Sequence, residues 1–236
     1  MTRKYNDAAF KVVQIVRTKS TEAEDEDIEK EDLMAVITIS RQFGAGGKTL
    51  GKMIADELGY VFADDDITQK IAEVARVSPH WVDSVEREAG TKLSKVISKM
   101  VSKGLVDKVL KDERGYIDEQ LYLDYLIVII AQIGEEGNAV ILGRGSQYIL
   151  NDHPEARHVL LVNEFEDRVK FMEENYDLSS NKATQIVKNE DKRRLNLYRK
   201  IGKKDYDNPA LYHLVLNMGR MDMKMAFKMV LDLVDQ

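Results

Sequence analysis

The chain has 236 residues, a mass of 27.0 kDa and a formal net charge of −6, from 35 basic and 41 acidic residues. This length is sufficient for one domain with a substantial core, and a hydrophobic content of 44% indicates a globular protein. Because the chain has no cysteine, disulfides, thiolate metal sites and cysteine nucleophiles are excluded. The mild acidity argues against binding to duplex nucleic acid, and the apolar segments are too short for a bilayer, so we expect a cytoplasmic protein.

The first 32 residues differ in character from the rest of the chain. Residues 7–17 have apolar side chains at helical spacing, which predicts a short amphipathic helix. Residues 22–32 contain eight acidic residues and one lysine, a pattern typical of a solvated linker because like charges repel. We therefore predict an N-terminal helix and acidic linker over 1–32, a candidate docking element for a protein partner or for self-association, followed by a main domain over 33–236.

Short aliphatic segments alternate with helical patterns through this main domain. Strands are predicted at 34–40, 60–63, 139–142, 158–162 and 213–216. Helices are predicted at 49–59, over most of 67–115, and at 117–134, 164–175, 179–201 and 222–234. This alternation predicts an α/β fold with a mainly parallel sheet, in which ligands bind beyond the carboxyl ends of the strands.

A glycine-rich turn joins the first predicted strand to the first predicted helix. Such a turn binds phosphate because glycine permits a sharp backbone turn and the helix N-terminus carries positive potential. Two registers fit the phosphate-loop pattern. In one, Lys48 is the phosphate lysine and Thr49 the Mg²⁺ ligand; in the other, Gly47 stands at the lysine position and Lys48 comes one residue late.

Charged residues follow the predicted strands. Arg41 ends the first, and Arg144 follows the third between two glycines that allow a ligand to approach closely. A guanidinium binds phosphate in a bidentate manner, so both arginines are candidate ligands of an anion. Asp64 begins a run of three aspartates after the second strand, and the other two are equally well explained as N-caps of the following helix.

The predicted helix at 179–201 is strongly basic. Residues 182–204 carry nine basic and two acidic residues. On a helix, Asp191 shares a face with Lys188 and Arg194, which would let the carboxylate orient both cations toward a transferring phosphoryl group. The simpler alternative is that these residues form a solvated basic face of the helix and have no catalytic role.

The chain resembles the cytidylate kinase-like family of P-loop kinases. The resemblance covers residues 34–236 and rests on five segments in family order, SRQFGAGGKTLG, VFADDD, AVILGRGSQYIL, HVLLV and KNEDKRRLNLYRKIGKKDYDNPALYHLVLN. It departs from true cytidylate kinases at Gly47, where they have lysine, and at Gly145, where they have aspartate.

The resemblance implies a three-layer α/β/α P-loop fold with a five-stranded core, a helical NMP-binding insert near 67–135 and a lid near 182–205. It implies ATP-dependent phosphoryl transfer to a nucleoside monophosphate, CMP or dCMP, with ATP and Mg²⁺ as cofactors. The alternatives are a kinase for another small molecule and a catalytically weak nucleotide-binding regulator. The predicted catalytic residues are Arg194, Asp191, Lys188 and Lys48; the predicted donor-binding residues are Gly44, Ala45, Gly46, Gly47, Lys48 and Thr49, with Thr49 as metal ligand; the predicted acceptor-binding residues are Arg41, Asp64 and Arg144.

Overall fold

Five short strands and the helices between them make up the fold. The computed structural model describes residues 35–75, 77–88, 119–201 and 205–235. The strands are β1 (Val36–Arg41), β2 (Val61–Ala63), β3 (Ala139–Leu142), β4 (Ala156–Val162) and β5 (Leu214–Asn217). The helices are α1 (Gly47–Leu58), α2 (Asp65–Ala75), α3 (Pro79–Glu88), α4 (Glu119–Glu136), α5 (Ser146–Ile149), α6 (Phe165–Tyr176), α7 (Ser180–Lys200) and α8 (Met223–Val234), with a 3₁₀ turn at Pro209–Leu211.

The strands form one parallel sheet in the order β2-β3-β1-β4-β5. The central strand β1 pairs through Val36 with Ala139 on one side and with Ala156 on the other. Because the strands are parallel, their carboxyl ends share one edge, and the loops after β1, β2 and β3 meet there. The sequence-based prediction of a parallel α/β sheet is confirmed.

The sheet is buried on both faces, which makes the fold three-layered. Alternate residues of each strand point to opposite sides. Val36 and Ile141 pack against α2 and α4 on one face. Ile37 and Val140 pack against α1 and α8 on the other. The continuous apolar strands in the sequence follow from this two-sided burial.

Some helix ends form where the local sequence predicts a cap, and others lack the predicted cap. Gly59 adopts the left-handed conformation, with φ 68°, and ends α1 as predicted. The Asp222 carboxylate accepts a hydrogen bond from the Met225 N–H and caps α8. Ser179 is the N-cap of α7, but its side chain makes no capping hydrogen bond. Helix α2 begins at Asp65, so that residue lies in its first turn and not at the cap position.

Some predicted segments lie outside the described residues. These are the N-terminal helix and acidic linker at 1–32, and residues 89–118 of the predicted insert. The described part of the insert consists of α2, α3 and α4, and α7 covers most of the predicted lid. Among the described helices, none is both long enough and apolar enough to span a membrane.

A buried histidine lies in β4, on the strand that pairs with β1. His158 is 3% exposed, and its Nδ1 lies 2.7 Å from Oγ1 of Thr38. Its backbone N–H donates to Nδ1 of His213, at 2.9 Å. Burial, and secondarily the neighbouring His213, lowers the pKa of His158 from 6.5 to about 4. The folded protein therefore favours the neutral imidazole.

This burial predicts a loss of stability in mild acid. Above pH 6.5 the His158 ring is neutral in both states and adds no pH dependence. As the pH falls from 6.5 toward 4, His158 becomes protonated in the unfolded chain but stays neutral in the folded chain. This difference lowers the free energy of unfolding by on the order of 2 to 3 kcal/mol.

Urea unfolding between pH 4 and pH 8 measures this effect. His158→Asn retains a polar partner for Thr38 and should flatten the profile between pH 4 and 6.5. The control variant is His80→Asn, on exposed α3, which should leave the profile unchanged. A His158→Asn profile as steep as that of the wild type would contradict the prediction.

Candidate active site

The glycine-rich turn between β1 and α1 forms an open phosphate loop. Gly44 and Gly46 have φ of 84° and 85°, a left-handed conformation that is strained for residues with a side chain. Gly46 is the N-cap of α1. A β-carbon added to Gly46 would lie 2.9 Å from Cε of Met223, so the loop is also closely packed. The turn presents a helix N-terminus to the carboxyl edge of the sheet, which is the arrangement that favours phosphate.

A cleft of about 660 Å³ lies in front of this loop, and we call it the donor cleft. Lys48 and Thr49 line it from the first turn of α1. The ammonium of Lys48 lies 3.3 Å from Oδ2 of Asp64, the residue that follows β2. Lys48 is 57% exposed, whereas Asp64 is 16% exposed, so the pair can separate at little cost. The donor cleft is lined by Arg41, Gln42, Phe43, Gly44, Gly46, Gly47, Lys48, Thr49, Asp64, Leu142, Phe171, Met172, Tyr176 and Arg194.

A second cleft, of about 420 Å³, adjoins the first, and we call it the acceptor cleft. It shares Arg41, Asp64 and Arg194 with the donor cleft. Arg144 and Arg193 complete its charged lining. Among the described residues, the lining of the two clefts carries five cations and one carboxylate, an excess of positive charge that favours an anion.

The turn after β3 is built from three consecutive left-handed residues. Gly143, Arg144 and Gly145 have φ of 72°, 57° and 74°. The conformation is unfavourable for arginine by about 1 kcal/mol or more. It aims the Arg144 guanidinium at the acceptor cleft, where Nη2 donates to Oγ1 of Thr68 at 2.8 Å.

Helix α7, which covers most of the predicted lid, contacts the phosphate loop through one carboxylate. Oδ1 of Asp191 accepts a hydrogen bond from the Phe43 N–H at 2.9 Å, and Oδ2 lies 2.7 Å from Nη1 of Arg168. The same Nη1 donates to the Phe43 carbonyl at 3.1 Å. Arg168 is 5% exposed and belongs to α6. Asp191 therefore joins α6, α7 and the phosphate loop, a network we call the loop clamp (Phe43, Arg168 and Asp191).

Arg194 lies one turn further along α7 and points between the two clefts. Its guanidinium stacks over the Phe43 ring, with Cζ 4.9 Å from the ring centroid. It lies 4.0 Å from both Glu190 and Asp191, at the outer limit of an ion pair. The side chain is 11% exposed, and the buried Nη1 has no hydrogen-bond partner among the described residues. Burial lowers the pKa of Arg194. An almost buried cation with an unused donor is suited to binding an anion.

Of the three predicted lid residues, two lie at the phosphate loop and one does not. Asp191 and Arg194 lie at the phosphate loop. Lys188 is exposed, lies 5.7 Å from the centroid of the Phe165 ring and is not among the described residues that line either cleft. Within the loop clamp, the hydrogen bonds of Asp191 go to Phe43 and Arg168, and Lys188 is not part of it.

Two residues of the loop clamp were absent from the sequence-based predictions. Arg168 left one signal: it lies next to Val169 and Met172 on the buried face of an amphipathic helix, where a charge is unusual. Phe43 left none, because its role comes from a backbone N–H and a ring face that only the folded chain brings to α7.

The loop clamp makes a prediction about stability. Asp191→Asn removes the charge that compensates the buried guanidinium of Arg168 and should lower the free energy of unfolding by about 1 to 3 kcal/mol. Urea unfolding at pH 7 measures the change. Glu190→Gln is the matched control on the same helix, with contacts of 3.5 to 4.0 Å only, and should cost less than about 1 kcal/mol. Equal losses in the two variants would contradict the clamp.

Known proteins match this chain in both sequence and fold. The model of the cytidylate kinase-like family matches residues 36–220. A comparison with curated proteins finds no significant match. A crystal structure of an uncharacterized protein from Eubacterium ventriosum ATCC 27560 has 18% identity and a TM-score of 0.60, over 86% of this chain and 99% of that one, which shows a shared fold.

Shikimate kinase from Bacteroides thetaiotaomicron has 14% identity and a TM-score of 0.49, over 86% of this chain and 99% of that one. A deoxyadenosine kinase from M. mycoides has 10% identity and a TM-score of 0.40, over 85% and 98%. The match to the family model covers every strand and the phosphate loop. The chain is therefore a member of the cytidylate kinase-like family.

Proposed function

We propose that the protein transfers a phosphoryl group from ATP to a nucleoside monophosphate, with CMP or dCMP as the first acceptors to test. The observation that carries this proposal is the almost buried Arg194, which lines both clefts and whose Nη1 makes no hydrogen bond with the described residues. Phosphoryl transfer depends on positioning and on neutralising charge on the transferred group. A guanidinium between donor and acceptor supplies such charge.

The phosphate loop supports ATP as the donor. Its two left-handed glycines and the N-terminus of α1 form a turn suited to the β- and γ-phosphates. The donor cleft continues past Gly44 and Gly46 to a neighbouring open surface lined by Met218, Met221 and Met223. Adaptable methionines suit the flat apolar face of a nucleobase.

The residues present also fit Mg²⁺. No cluster of three His, Asp or Glu side chains occurs in residues 35–75, 77–88, 119–201 and 205–235. Mg²⁺ in kinases is commonly held by one or two protein oxygens together with substrate phosphates, so a dense cluster is not needed. The hydroxyl of Thr49 and the carboxylate of Asp64 both line the donor cleft and would hold the ion. When bound, Mg²⁺ would neutralise charge on the donor phosphates.

The acceptor cleft supports an anionic acceptor. Arg144 points into it from the strained turn after β3, and Arg193 lines it from α7. Two guanidinium groups that line one cleft from different elements match a phosphate monoester, because each can form paired hydrogen bonds to phosphate oxygens.

ADP release measured against a panel of CMP, dCMP, UMP, AMP and GMP tests the proposal. We expect acceptor-dependent turnover with at least one pyrimidine nucleotide. Arg144→Ala should raise KM for that acceptor about tenfold or more, because a charged hydrogen bond to phosphate is lost. KM for ATP should change little. No acceptor-dependent turnover across the panel would refute the proposal.

A separate prediction concerns Arg194. Arg194→Ala should lower kcat by about 10² to 10³, because charge stabilisation in the transition state is lost while substrate binding is largely retained. Arg199→Ala, an exposed change in the last turn of the same helix, is the matched control and should retain wild-type kcat. An Arg194→Ala effect confined to KM would contradict the assigned role.

One observation favours a second candidate, a kinase for a small anion other than a nucleotide. Gly145 stands where true cytidylate kinases have aspartate, and a β-carbon there would meet Cδ1 of Ile201. An aspartate at this left-handed position would require the Ile201 side chain to shift and would strain the backbone. Extending the panel to hydroxy acids distinguishes the two candidates, since turnover of CMP at ordinary kinase rates would exclude the second.

A further inference from the structure

The position where a phosphate-loop lysine would stand holds a glycine. In the phosphate-loop motif, a lysine at the start of the helix contacts the β- and γ-phosphates. Here α1 begins at Gly47, directly after the left-handed Gly46. Lys48 comes one residue later, and its ammonium lies beside Asp64 at the rim of the cleft. In this register the lysine position is held by Gly47, and Arg41 is a second cation that lines the same cleft.

Arg41 fills the space that a side chain at position 47 would need. A β-carbon added to Gly47 would lie 3.0 Å from Cγ of Arg41 and 3.4 Å from its Cβ. A β-carbon added to Gly143 would lie 1.7 Å from Nη1 of Arg41. The side chain thus runs from the end of β1, past the first residue of α1, and its guanidinium lies directly on the backbone after β3. Glycine at 47 and at 143 is what makes this path possible.

The path brings the Arg41 guanidinium to both clefts. Arg41 lines the donor cleft together with the phosphate loop, and the acceptor cleft together with Arg144. A guanidinium has five N–H donors in one plane and can bind two anions at once.

The neighbouring cations also make the surroundings of Arg41 favourable for a bound anion. Burial, and then the nearby Arg194, lowers the pKa of Arg41 to about 10, so the group is charged at neutral pH but destabilised. Asp64 is the carboxylate that offsets it, while Arg144 adds to the repulsion. A bound phosphate would relieve this repulsion.

We propose that Arg41 replaces the absent phosphate-loop lysine, with its guanidinium binding the terminal phosphates of the donor while it also faces the acceptor. The inference rests on the proposed function, because it places a nucleoside triphosphate in the donor cleft. It extends the sequence-based assignment of Arg41, which concerned the acceptor alone. Arg41, Gly47 and Gly143 are then one functional unit.

Calorimetric titration with the non-hydrolysable analogue AMP-PNP, and separately with CMP, tests the inference. Arg41→Met removes the charge but retains a stem of similar bulk. We expect it to raise the Kd of AMP-PNP by about 10- to 100-fold, because charge-assisted hydrogen bonds to phosphate are lost. Arg41→Lys should retain most of the affinity. Arg157→Met, near the amino end of β4, is the matched control and should bind AMP-PNP as the wild type does.

Moving the cation gives a sharper test. Arg41→Gly should lose AMP-PNP affinity, and combining it with Gly47→Lys should restore most of that affinity, because the lysine then has the space that Arg41 vacated. Gly47→Lys alone should lower the melting temperature, since its β-carbon meets the Arg41 stem. Melting temperatures of all variants separate lost binding from lost folding.

Three outcomes would overturn the inference. One is an unchanged AMP-PNP Kd in Arg41→Met, accompanied by weaker CMP binding, which would assign Arg41 to the acceptor alone. Another is a double variant that binds no better than Arg41→Gly. A wild type that binds no AMP-PNP would overturn both this inference and the proposed function. A wild type that binds AMP-PNP through Arg41 but phosphorylates no acceptor would refute only the proposed function.

Discussion

The carboxylate of Asp191 is the contact on which the geometry of the site depends. It binds the phosphate loop at Phe43 and the buried guanidinium of Arg168 at the same time. Because Asp191 and Arg194 are three residues apart on α7, fixing the first also fixes the second over the Phe43 ring. The position of Arg194 relative to the phosphate loop is thus set by a neighbouring acid.

The charged side chains that line the site are mostly positive. Among the described residues, five cations and one carboxylate line the two clefts, although the chain as a whole carries a net charge of −6. Much of that acidity belongs to residues 22–32, and without them the chain has 34 basic and 33 acidic residues. The clefts are therefore more positive than the chain around them. Such a concentration of like charge destabilises the unliganded protein and is relieved by a phosphate-bearing ligand.

The sequence predicts the fold well because the relevant signals are local. Continuous aliphatic strands such as 139–142, and a helix closed by Gly59, depend on short-range periodicity and backbone freedom. The site is predicted less completely. Arg41 was singled out by its place at the end of a strand, but its path over Gly143 depends on two strands that meet only in the sheet. Phe43 acts through its backbone, and a backbone contact leaves no trace in residue type.

The turn at Gly143, Arg144 and Gly145 sets two requirements against each other. Its central residue holds a left-handed conformation that only glycine adopts without strain, yet the proposed chemistry needs a guanidinium there. Arg144→Gly would relieve the backbone strain and would at the same time remove the guanidinium charge. Substitutions at this position that raise thermal stability would therefore tend to inactivate the protein. Stability and catalytic activity thus place opposite demands on residue 144.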